Sequence, residues 1–250
     1  MNENELQMNE VMGTARKLLK NNIGTILEIG ARDCVETLVF NKNFPDSRIF
    51  TFECNPSTLP KCRNNVSNVS NIELIESAVS DKDGRITFNQ IDSSKTITGR
   101  NDGNPGASSL FKASGKYPVE AYVQKEIRVP SIRLDTFFTD KGIDEVDILW
   151  MDIQGAELMA LKSAGEHIKK IKIIHLELEF FEIYKDQPLF KEVHAFLKQN
   201  GFCLLKFTTV GKYAGDAIYV NEDLKKTCMP VVMLKYISRL KRKIRNIMKK

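Results

Sequence analysis

The chain has 250 residues, of which 42% are hydrophobic, enough to bury a sizeable core and too many for a disordered polypeptide. The net charge of +5 is unevenly distributed, because residues 225–250 contain ten lysines and arginines and no acidic residue, which leaves residues 1–224 with a net charge of −5. An acidic body with a basic tail excludes a basic nucleic-acid-binding domain.

The cysteines and the N-terminus bear on the cellular compartment. The cysteines form no CxxC pair and no Cys/His cluster, which predicts reduced thiols and neither a disulfide frame nor a zinc site. The N-terminus is acidic and polar, unlike a secretory signal, and no apolar run approaches the ~20 residues that span a bilayer. We therefore expect a cytoplasmic protein. The cysteines are Cys34, Cys54, Cys62, Cys203 and Cys228.

The chain begins with a predicted helix over residues 5–21, where apolar side chains recur at helical spacing. Strands and helices then alternate until the last two strands. Residues 91–118 are rich in Ser, Thr, Gly, Asn and Pro and predict a long loop, which inside a compact domain is usually functional or mobile. The predicted strands are 25–30, 48–53, 72–76, 85–88, 126–130, 146–151, 171–178, 202–207 and 216–220, and the further helices are 35–41, 55–65, 133–138, 156–164 and 189–199.

This alternation is typical of an α/β fold with a mostly parallel sheet and helices on both faces. The last two predicted strands follow one another without a helix between them. Such a pair is joined most simply by a hairpin, so we expect an antiparallel edge.

An acid and a glycine, Glu28 and Gly30, stand at the end of the first predicted strand. The glycine lets a ligand approach the backbone closely, and the acid suits an ammonium or sulfonium better than a pyrophosphate. Glu53 ends the second strand, where a carboxylate can accept hydrogen bonds from both hydroxyls of a ribose; the alternative is a solvated acid. Arg32 and Cys34 occupy positions where a dinucleotide motif has glycines, so the pattern favours S-adenosylmethionine over NAD.

Asp152 directly follows the apolar strand 146–151. We expect it beside the cofactor methyl group, where its carboxylate could orient or deprotonate an attacking hydroxyl; the alternative is an N-cap of the helix that starts at Ala156. His175 and Glu177 lie two apart on one strand and hence on one face, opposite Asp152, although a lone strand histidine is more often structural. The spacing of the acids matches no metal-ligand motif, so no metal is predicted.

Six short segments recur together in a known family: Glu28–Ala31, Phe52–Pro56, Ala78–Ser80, Ser108–Leu110, Leu134–Asp135 and Asp152–Glu157. With them the chain resembles the FkbM-type methyltransferases over roughly residues 20–220, and the last segment is the most specific. The resemblance implies a Rossmann-like class I methyltransferase fold with a seven-stranded sheet. It also implies methylation of hydroxyl groups, often on sugars, glycans or polyketides. Two positions depart from the family pattern, since Cys34 replaces a usual glycine and Gln154 a usual glutamate.

With this resemblance, the predicted site has a cofactor side and a substrate side within one domain over residues 1–224. Residues 1–24 precede its first strand, and residues 91–118 are expected to flank the acceptor pocket. The predicted catalytic residues are Asp152, Glu177 and His175, and the substrate side comprises Ser108, Ser109, Gln154 and Glu157. The predicted cofactor-binding residues are Glu28, Gly30, Ala31, Arg32, Glu53, Cys54, Asn55, Ser77, Ala78 and Asp152.

The basic tail, residues 225–250, has apolar side chains at three- and four-residue steps with lysines and arginines between them. This pattern favours a helix on an anionic membrane surface, here the inner face of the cell membrane; a partner's groove or a solvated helix are the alternatives. We expect an O-methyltransferase for a small-molecule or glycan acceptor. One alternative is an inactive membrane-associated scaffold, which the departures from the family pattern at Cys34 and Gln154 would support. The other is a nicotinamide-dependent oxidoreductase, disfavoured by the missing glycines and the lack of a Tyr-x-x-x-Lys pair.

Overall fold

The computed structural model describes residues 3–224, so the predicted amphipathic helix in residues 225–250 lies outside the described residues. Within residues 3–224, no helix is long and apolar enough to cross a membrane. The α-helices there are α1 (Glu3–Leu19), α2 (Val35–Asn43), α3 (Leu59–Val66), α4 (Leu134–Asp140), α5 (Glu157–Ser163) and α6 (Phe190–Gln199). The strands are β1 (Thr25–Ile29), β2 (Arg48–Phe52), β3 (Ile72–Ile75), β4 (Ala78–Val79), β5 (Gly84–Ile91), β6 (Gln124–Ile132), β7 (Val146–Met151), β8 (Ile171–Glu179), β9 (Phe202–Phe207) and β10 (Ala214–Asn221).

Seven of these strands form the main sheet, in the order β3-β2-β1-β7-β8-β10-β9. The first five in this order are parallel, and β10 runs antiparallel to both of its neighbours. Every residue of β7 is buried, as expected for a central parallel strand that helices cover on both sides. This arrangement confirms the predicted fold class, including its antiparallel edge.

Helices cover both faces of the main sheet, and alternate residues of each strand contribute to one face or the other. On one face, α1 and α2 pack on side chains such as Ile26, Ile148 and Ile173. On the other face, α4, α5 and α6 pack on side chains such as Leu27 and Leu149. The sheet is therefore buried on both sides, and its carboxyl edge is the place where polar side chains can gather.

A second sheet of three strands, in the order β4-β6-β5, was not predicted. β5 and β6 pair antiparallel over their whole length, from Gly84↔Ser131 to Ile91↔Gln124. They form the stem of a hairpin whose long connection is the predicted loop. That connection contains a short 3-10 helix, Pro105–Ala107, and bridges to the rest of the chain at Ser109 and Ala113. The hairpin stem brings the loop to the carboxyl edge of the main sheet.

Two local predictions are wrong. Helix α3 begins at Leu59 and not at Asn55, because Asn55 closes a turn with its side-chain oxygen, which accepts hydrogen bonds from the backbone and hydroxyl of Ser57. The expectation of reduced thiols fails for Cys34 and Cys62, which form a disulfide with a Cα–Cα distance of 5.0 Å. That distance lies within the ordinary range for such a bond. The disulfide joins the loop after β1 to α3.

Candidate functional site

A cleft opens at the carboxyl ends of β1, β2 and β7 and encloses about 570 Å³, part of it open to solvent. This is the point where the strand order reverses on either side of β1, the usual ligand position in an open α/β sheet. The cofactor cavity, as we call it, contains eight of the ten predicted cofactor-binding residues. These are Gly30, Arg32, Glu53, Cys54, Asn55, Ser77, Ala78 and Asp152.

Gly30 stands where β1 meets the loop after β7. Its φ is +89°, and a Cβ atom placed there would lie 2.0 Å from the backbone oxygen of Asp152. The backbone N–H of Asp152 donates a hydrogen bond to the oxygen of Ile29, 3.1 Å away, which holds the two chain segments together. A glycine is required here for the approach of two backbones as well as for the approach of a ligand.

Substituting alanine for Gly30 is expected to lower the free energy of unfolding by more than about 2 kcal/mol, because it adds strain at positive φ and a clash with backbone. Urea denaturation would measure the loss. Gly13→Ala is the matched control, since Gly13 lies within α1 and a Cβ there would meet no atom within 4 Å. The control should be neutral or stabilising by up to about 1 kcal/mol. If Gly30→Ala is as stable as Gly13→Ala, the close contact between Gly30 and the backbone of Asp152 is not present.

Glu53, just after β2, is the acid at the cavity wall. Its Oε2 accepts a hydrogen bond from the backbone N–H of Arg32 (2.6 Å), and its Oε1 accepts from those of Cys54 (2.8 Å) and Asn55 (2.6 Å). Burial raises its pKa above the ordinary value, and the three backbone donors oppose that rise. Glu53 is thereby fixed at the cavity by the loops after β1 and β2.

The loop between β5 and β6 forms the opposite wall of the cavity through Pro105, Gly106, Ser108 and Leu110. Arg32 reaches across to this loop and forms an ion pair with Asp102. The amide of Asn55 donates to the oxygens of Pro105 (3.2 Å) and Ser108 (3.1 Å). Both contacts join the cofactor-binding loops of the main sheet to the loop of the second sheet.

Glu28 was predicted to contact the cofactor, and the structure corrects this. It is 1% exposed within β1, and its Oε2 accepts hydrogen bonds from the hydroxyls of Thr37 on α2 and Thr51 on β2. Burial raises its pKa to about 8, so its neutral form predominates at pH 7. The alternation of β1 directs Glu28 away from the cavity. Ala31 is also absent from the cavity lining, because it packs against Cys34 and Cys62 in a small apolar cluster.

A Glu28→Gln variant is expected to become more stable relative to the wild type as the pH rises. In the wild type the folded pKa is raised, so stability is full below the unfolded value near 4.5 and is lost as the pH rises towards about 8. Glutamine keeps an oxygen acceptor for Thr37 and does not ionise. Urea unfolding at pH 5 and pH 8 should show a gain of a few kcal/mol, order of magnitude, at pH 8 only. A gain that is independent of pH would contradict a raised pKa.

Asp152 and Glu177 are brought together by Gln154. The amide nitrogen of Gln154 donates to Asp152 Oδ1 (2.7 Å) and to Glu177 Oε2 (2.9 Å). The hydroxyl of Tyr184 lies 2.8 Å from Gln154 Oε1. Asp152 and Gln154 line the cavity, and Asp152 is solvent-exposed at its floor. One amide thus holds two carboxylates from neighbouring strands at the mouth of the cofactor cavity.

Both carboxylates of this pair titrate above their ordinary range. Asp152 is exposed only towards the cleft, and the protein around the cleft desolvates its carboxylate and raises its pKa, while the amide of Gln154 opposes the rise. Burial also raises the pKa of Glu177 well above its usual value, and the charge of Asp152 raises it further. Two carboxylates this close favour retention of one proton between them. A pair of this kind can accept a proton from a hydroxyl group at neutral pH.

Three of the predicted substrate-side residues have structural contacts instead. Glu157 is 1% exposed, and its Oε1 accepts from the backbone N–H of Ile153 (2.9 Å), closing the turn before α5, where Asp152 had been the alternative cap. The hydroxyl of Ser109 donates to the backbone oxygen of Gln154 (2.7 Å). Ser108 lines the cofactor cavity, but its hydroxyl donates to the oxygen of Pro105 within its own loop. These contacts fix the loops that bear the site.

His175 does not line the cavity. It is 1% exposed, its ring stacks on Trp150 with centroids 3.9 Å apart, and its Nε2 lies 3.3 Å from the hydroxyl of Thr208. Burial lowers its pKa to about 3, so the imidazole is neutral. It shares a strand face with Glu177, as predicted, but lies nearer the centre of the sheet, where α1 covers that face. Its position is that of a core residue.

Tyr184 contacts the candidate site and was not predicted from the sequence. It is fully buried, and its ring stacks on Tyr122 at 5.9 Å. It follows β8 in a segment without periodicity, so no sequence signal pointed to it. Its hydroxyl also lies 2.8 Å from the backbone oxygen of Ala107, and it therefore contacts both the β7–α5 loop and the β5–β6 loop.

The cavity fits the cofactor expected from the sequence. Glu53 presents a carboxylate at the end of β2, where ribose hydroxyls bind in folds of this kind. Phe52, Val79, Phe88 and Leu110 supply apolar surface for an aromatic base. Asp152 presents negative charge for a sulfonium group. The fold and this cavity define a class I S-adenosylmethionine-dependent methyltransferase.

Comparison with known proteins gives the family. The model of the methyltransferase FkbM domain matches residues 28–204, and the chain belongs to this family. A curated relative, the 2-O-methyltransferase NoeI of Sinorhizobium fredii (strain NBRC 101917 / NGR234), is 29% identical over 174 residues, which are 68% of this chain and 69% of that protein. The predicted family resemblance is thereby confirmed, and S-adenosylmethionine is the cofactor.

Solved structures with a similar arrangement have little sequence in common with this chain. The precorrin-6y C5,15-methyltransferase of Geobacter metallireducens has a TM-score of 0.45 at 13% identity, covering 85% of this chain and 89% of that one. Aeropyrum pernix fibrillarin, in complex with S-adenosyl-L-methionine, has a TM-score of 0.46 at 14% identity, covering 83% and 74%.

Proposed function

We propose that this methyltransferase transfers the methyl group to a hydroxyl of a sugar or glycan. The observation that carries the proposal is the pair of carboxylates, Asp152 and Glu177, that Gln154 holds at the mouth of the cofactor cavity. A carboxylate pair with raised pKa values suits the removal of a proton from a hydroxyl. The name of the relative, a 2-O-methyltransferase, supports an oxygen acceptor.

The proposed roles of the residues follow from their positions. S-Adenosylmethionine supplies an electrophilic methyl group bound to a sulfonium. Glu53 holds the ribose of the cofactor, and Gly30 leaves room beside the backbone. Asp152 and Glu177 orient the acceptor hydroxyl and take its proton as the new carbon–oxygen bond forms and the methyl–sulfur bond breaks, with S-adenosylhomocysteine as the leaving group. Much of the rate acceleration is expected from holding the two reactants in line.

The test is transfer of label from methyl-labelled S-adenosylmethionine to a cell-envelope glycan extract. We expect label in a saccharide fraction that is stable to mild base, as an ether is and a methyl ester is not. The proposal is wrong if the wild type binds the cofactor but labels only proteins or small molecules without a sugar. A boiled enzyme and an Asp152→Asn variant serve as controls for background transfer.

We further propose that residues 225–250 bring the enzyme to an anionic membrane surface. Their ten basic residues and interleaved apolar residues support this, since such a segment combines apolar burial with attraction to acidic lipids. Deleting them should reduce pelleting with vesicles that contain phosphatidylglycerol at least tenfold, and should not affect the little binding to neutral vesicles. Equal pelleting of the full and shortened chains would contradict the proposal.

A further inference from the structure

Four tyrosines from separate parts of the chain gather beside the carboxylate pair. The rings of Tyr117 and Tyr122 are 5.9 Å apart, those of Tyr117 and Tyr213 are 5.5 Å apart, and Tyr122 stacks on Tyr184 at 5.9 Å. Two of them belong to the β5–β6 loop, Tyr184 follows β8, and Tyr213 precedes β10. We call these four residues the tyrosine cluster.

The tyrosine cluster adjoins the reacting groups through a continuous series of contacts. The hydroxyl of Tyr184 contacts Gln154, whose amide holds Asp152 and Glu177. On the other side, the backbone oxygen of Tyr213 accepts from the N–H of Phe180 (2.7 Å), just beyond the carboxyl end of β8. Gln154 lines the cofactor cavity and the four tyrosines do not, so the cluster adjoins the carboxylate pair from outside the space left for the cofactor.

Within the cluster, Tyr117, Tyr122 and Tyr213 are all partly exposed, so the contacts of each ring decide which face is free. Tyr184 is fully buried and lies at the bottom of the cluster. Tyr122 is held by its hydroxyl, which donates to Glu120 Oε2 (2.7 Å). Tyr213 packs on Phe181, and the amine of Lys212 lies over its ring at 5.0 Å. Tyr117 is partly exposed and is braced perpendicular to Tyr213, at 89°. One face of Tyr122 is stacked on Tyr184, and one face of Tyr213 lies under Lys212. Tyr117 meets its ring neighbours at 43° and 89°, so it is the ring whose face a ligand can cover.

The charges around the cluster favour an uncharged acceptor. Glu177 and Asp152 lie on one side of it and Glu120 on the other, where Glu120 also accepts hydrogen bonds from Thr98 and Asn104. The nearby cations are Arg100 and Arg32, which both lower the pKa of Asp152, and Lys212 at the ring of Tyr213. Carboxylates outnumber these three cations, because Glu157, Glu179 and Asp216 also lie near enough to Glu177 to raise its pKa. This excess of acidic groups opposes the approach of a phosphate or another polyanion.

We propose that the ring of Tyr117 is the platform on which a neutral pyranose ring of the acceptor lies, with the reacting hydroxyl directed towards Gln154, Asp152 and Glu177. The C–H face of a sugar packs on an aromatic face, while its hydroxyls reach amides and carboxylates. This inference rests on the proposed function and adds to it the residue that selects the substrate. Tyr122 and Tyr213 keep the platform in place.

The experiment uses the full chain and a neutral oligosaccharide fraction that accepts label from the glycan extract. Tyr117→Leu should raise the KM for this acceptor about tenfold, which corresponds to the ~1.4 kcal/mol of one aromatic contact. It should leave kcat and the Kd for S-adenosylmethionine within twofold. Tyr117→Phe keeps the aromatic face and should restore the wild-type KM. Ile97→Ala is the matched control, because Ile97 belongs to the same loop and is 73% exposed.

The outcomes separate the two proposals. Methylation of the neutral saccharide with an unchanged KM in Tyr117→Leu would overturn the platform and leave the proposed function intact. A wild type that binds the cofactor and methylates no saccharide would overturn both. If the wild type prefers an acceptor with added phosphate groups over the neutral fraction, the acidic groups around the cluster do not exclude polyanions. The acceptor would then not be a neutral saccharide. Circular dichroism of each variant excludes misfolding as the cause of a raised KM.

Discussion

Replacing Asp152 by asparagine is expected to lower kcat by about 10²–10⁴-fold, because under the proposed function the acceptor hydroxyl loses the carboxylate that takes its proton. Asparagine retains an oxygen that can accept from Gln154, so the loop after β7 should keep its conformation. The Kd for S-adenosylmethionine should change by less than tenfold. Labelled methyl transfer under saturating cofactor measures kcat, and calorimetry measures the Kd.

The pH dependence sharpens this first prediction. In the wild type, kcat should fall as the pH decreases through the raised pKa values of the Asp152–Glu177 pair, because the protonated pair cannot act as a base. In the asparagine variant, the residual kcat should not show this fall with decreasing pH, or should show it at a different pH. Asp33→Asn is the control, since Asp33 forms an ion pair with Lys61 outside the cavity. If Asp152→Asn behaves as this control does, Asp152 has no role in proton removal.

Replacing Glu53 by alanine is expected to weaken binding of S-adenosylmethionine about 10–100-fold, or about 1.5–3 kcal/mol. The variant loses the carboxylate at the end of β2 and also leaves the backbone N–H groups of Arg32, Cys54 and Asn55 without this acceptor. Isothermal titration of each protein with the cofactor measures the effect. A thermal scan should accompany it, because the second loss also destabilises the loops.

The matched control for Glu53→Ala is Glu76→Ala. Glu76 is an exposed glutamate that follows β3 and pairs with Arg63 at the surface, where such pairs contribute little. Its removal should leave the Kd for the cofactor unchanged. If the wild type and both variants bind the cofactor with equal affinity, Glu53 does not contact the cofactor. If the wild type does not bind the cofactor, the cavity is not a cofactor site.

The order of elements and the main sheet could be predicted because the signals are local. Each parallel strand is an apolar run between turn residues, and the site motifs stand at strand ends, where Gly30, Glu53 and Asp152 meet. The second sheet could not be predicted in the same way. β4 has two residues, and β5 pairs with β6 across a connection of more than thirty residues, so its pairing partner is not visible in either segment alone.

The misassigned site residues share one physical cause. A strand-end motif predicts that a residue is near the cavity, but the direction of its side chain depends on strand alternation and on what packs above it. Glu28 satisfies the motif and faces Thr37 on α2, and His175 shares a face with Glu177 yet stacks on Trp150. Tyr117 and Tyr184 lie in irregular segments, where sequence spacing carries no geometric information.

The contact between Gly30 and the backbone of Asp152 has a consequence for how the enzyme can diverge. At this contact the loop after β1 and the loop after β7 touch without any side chain between them. An insertion or a bulkier residue in one of them must therefore be matched by a change in the other. At Tyr117 the β5–β6 loop contacts its neighbours through side chains, the rings of Tyr122 and Tyr213, which can be exchanged without moving the backbone. New acceptor specificities should accordingly arise by exchange within that loop, while the two touching loops vary together or remain constant.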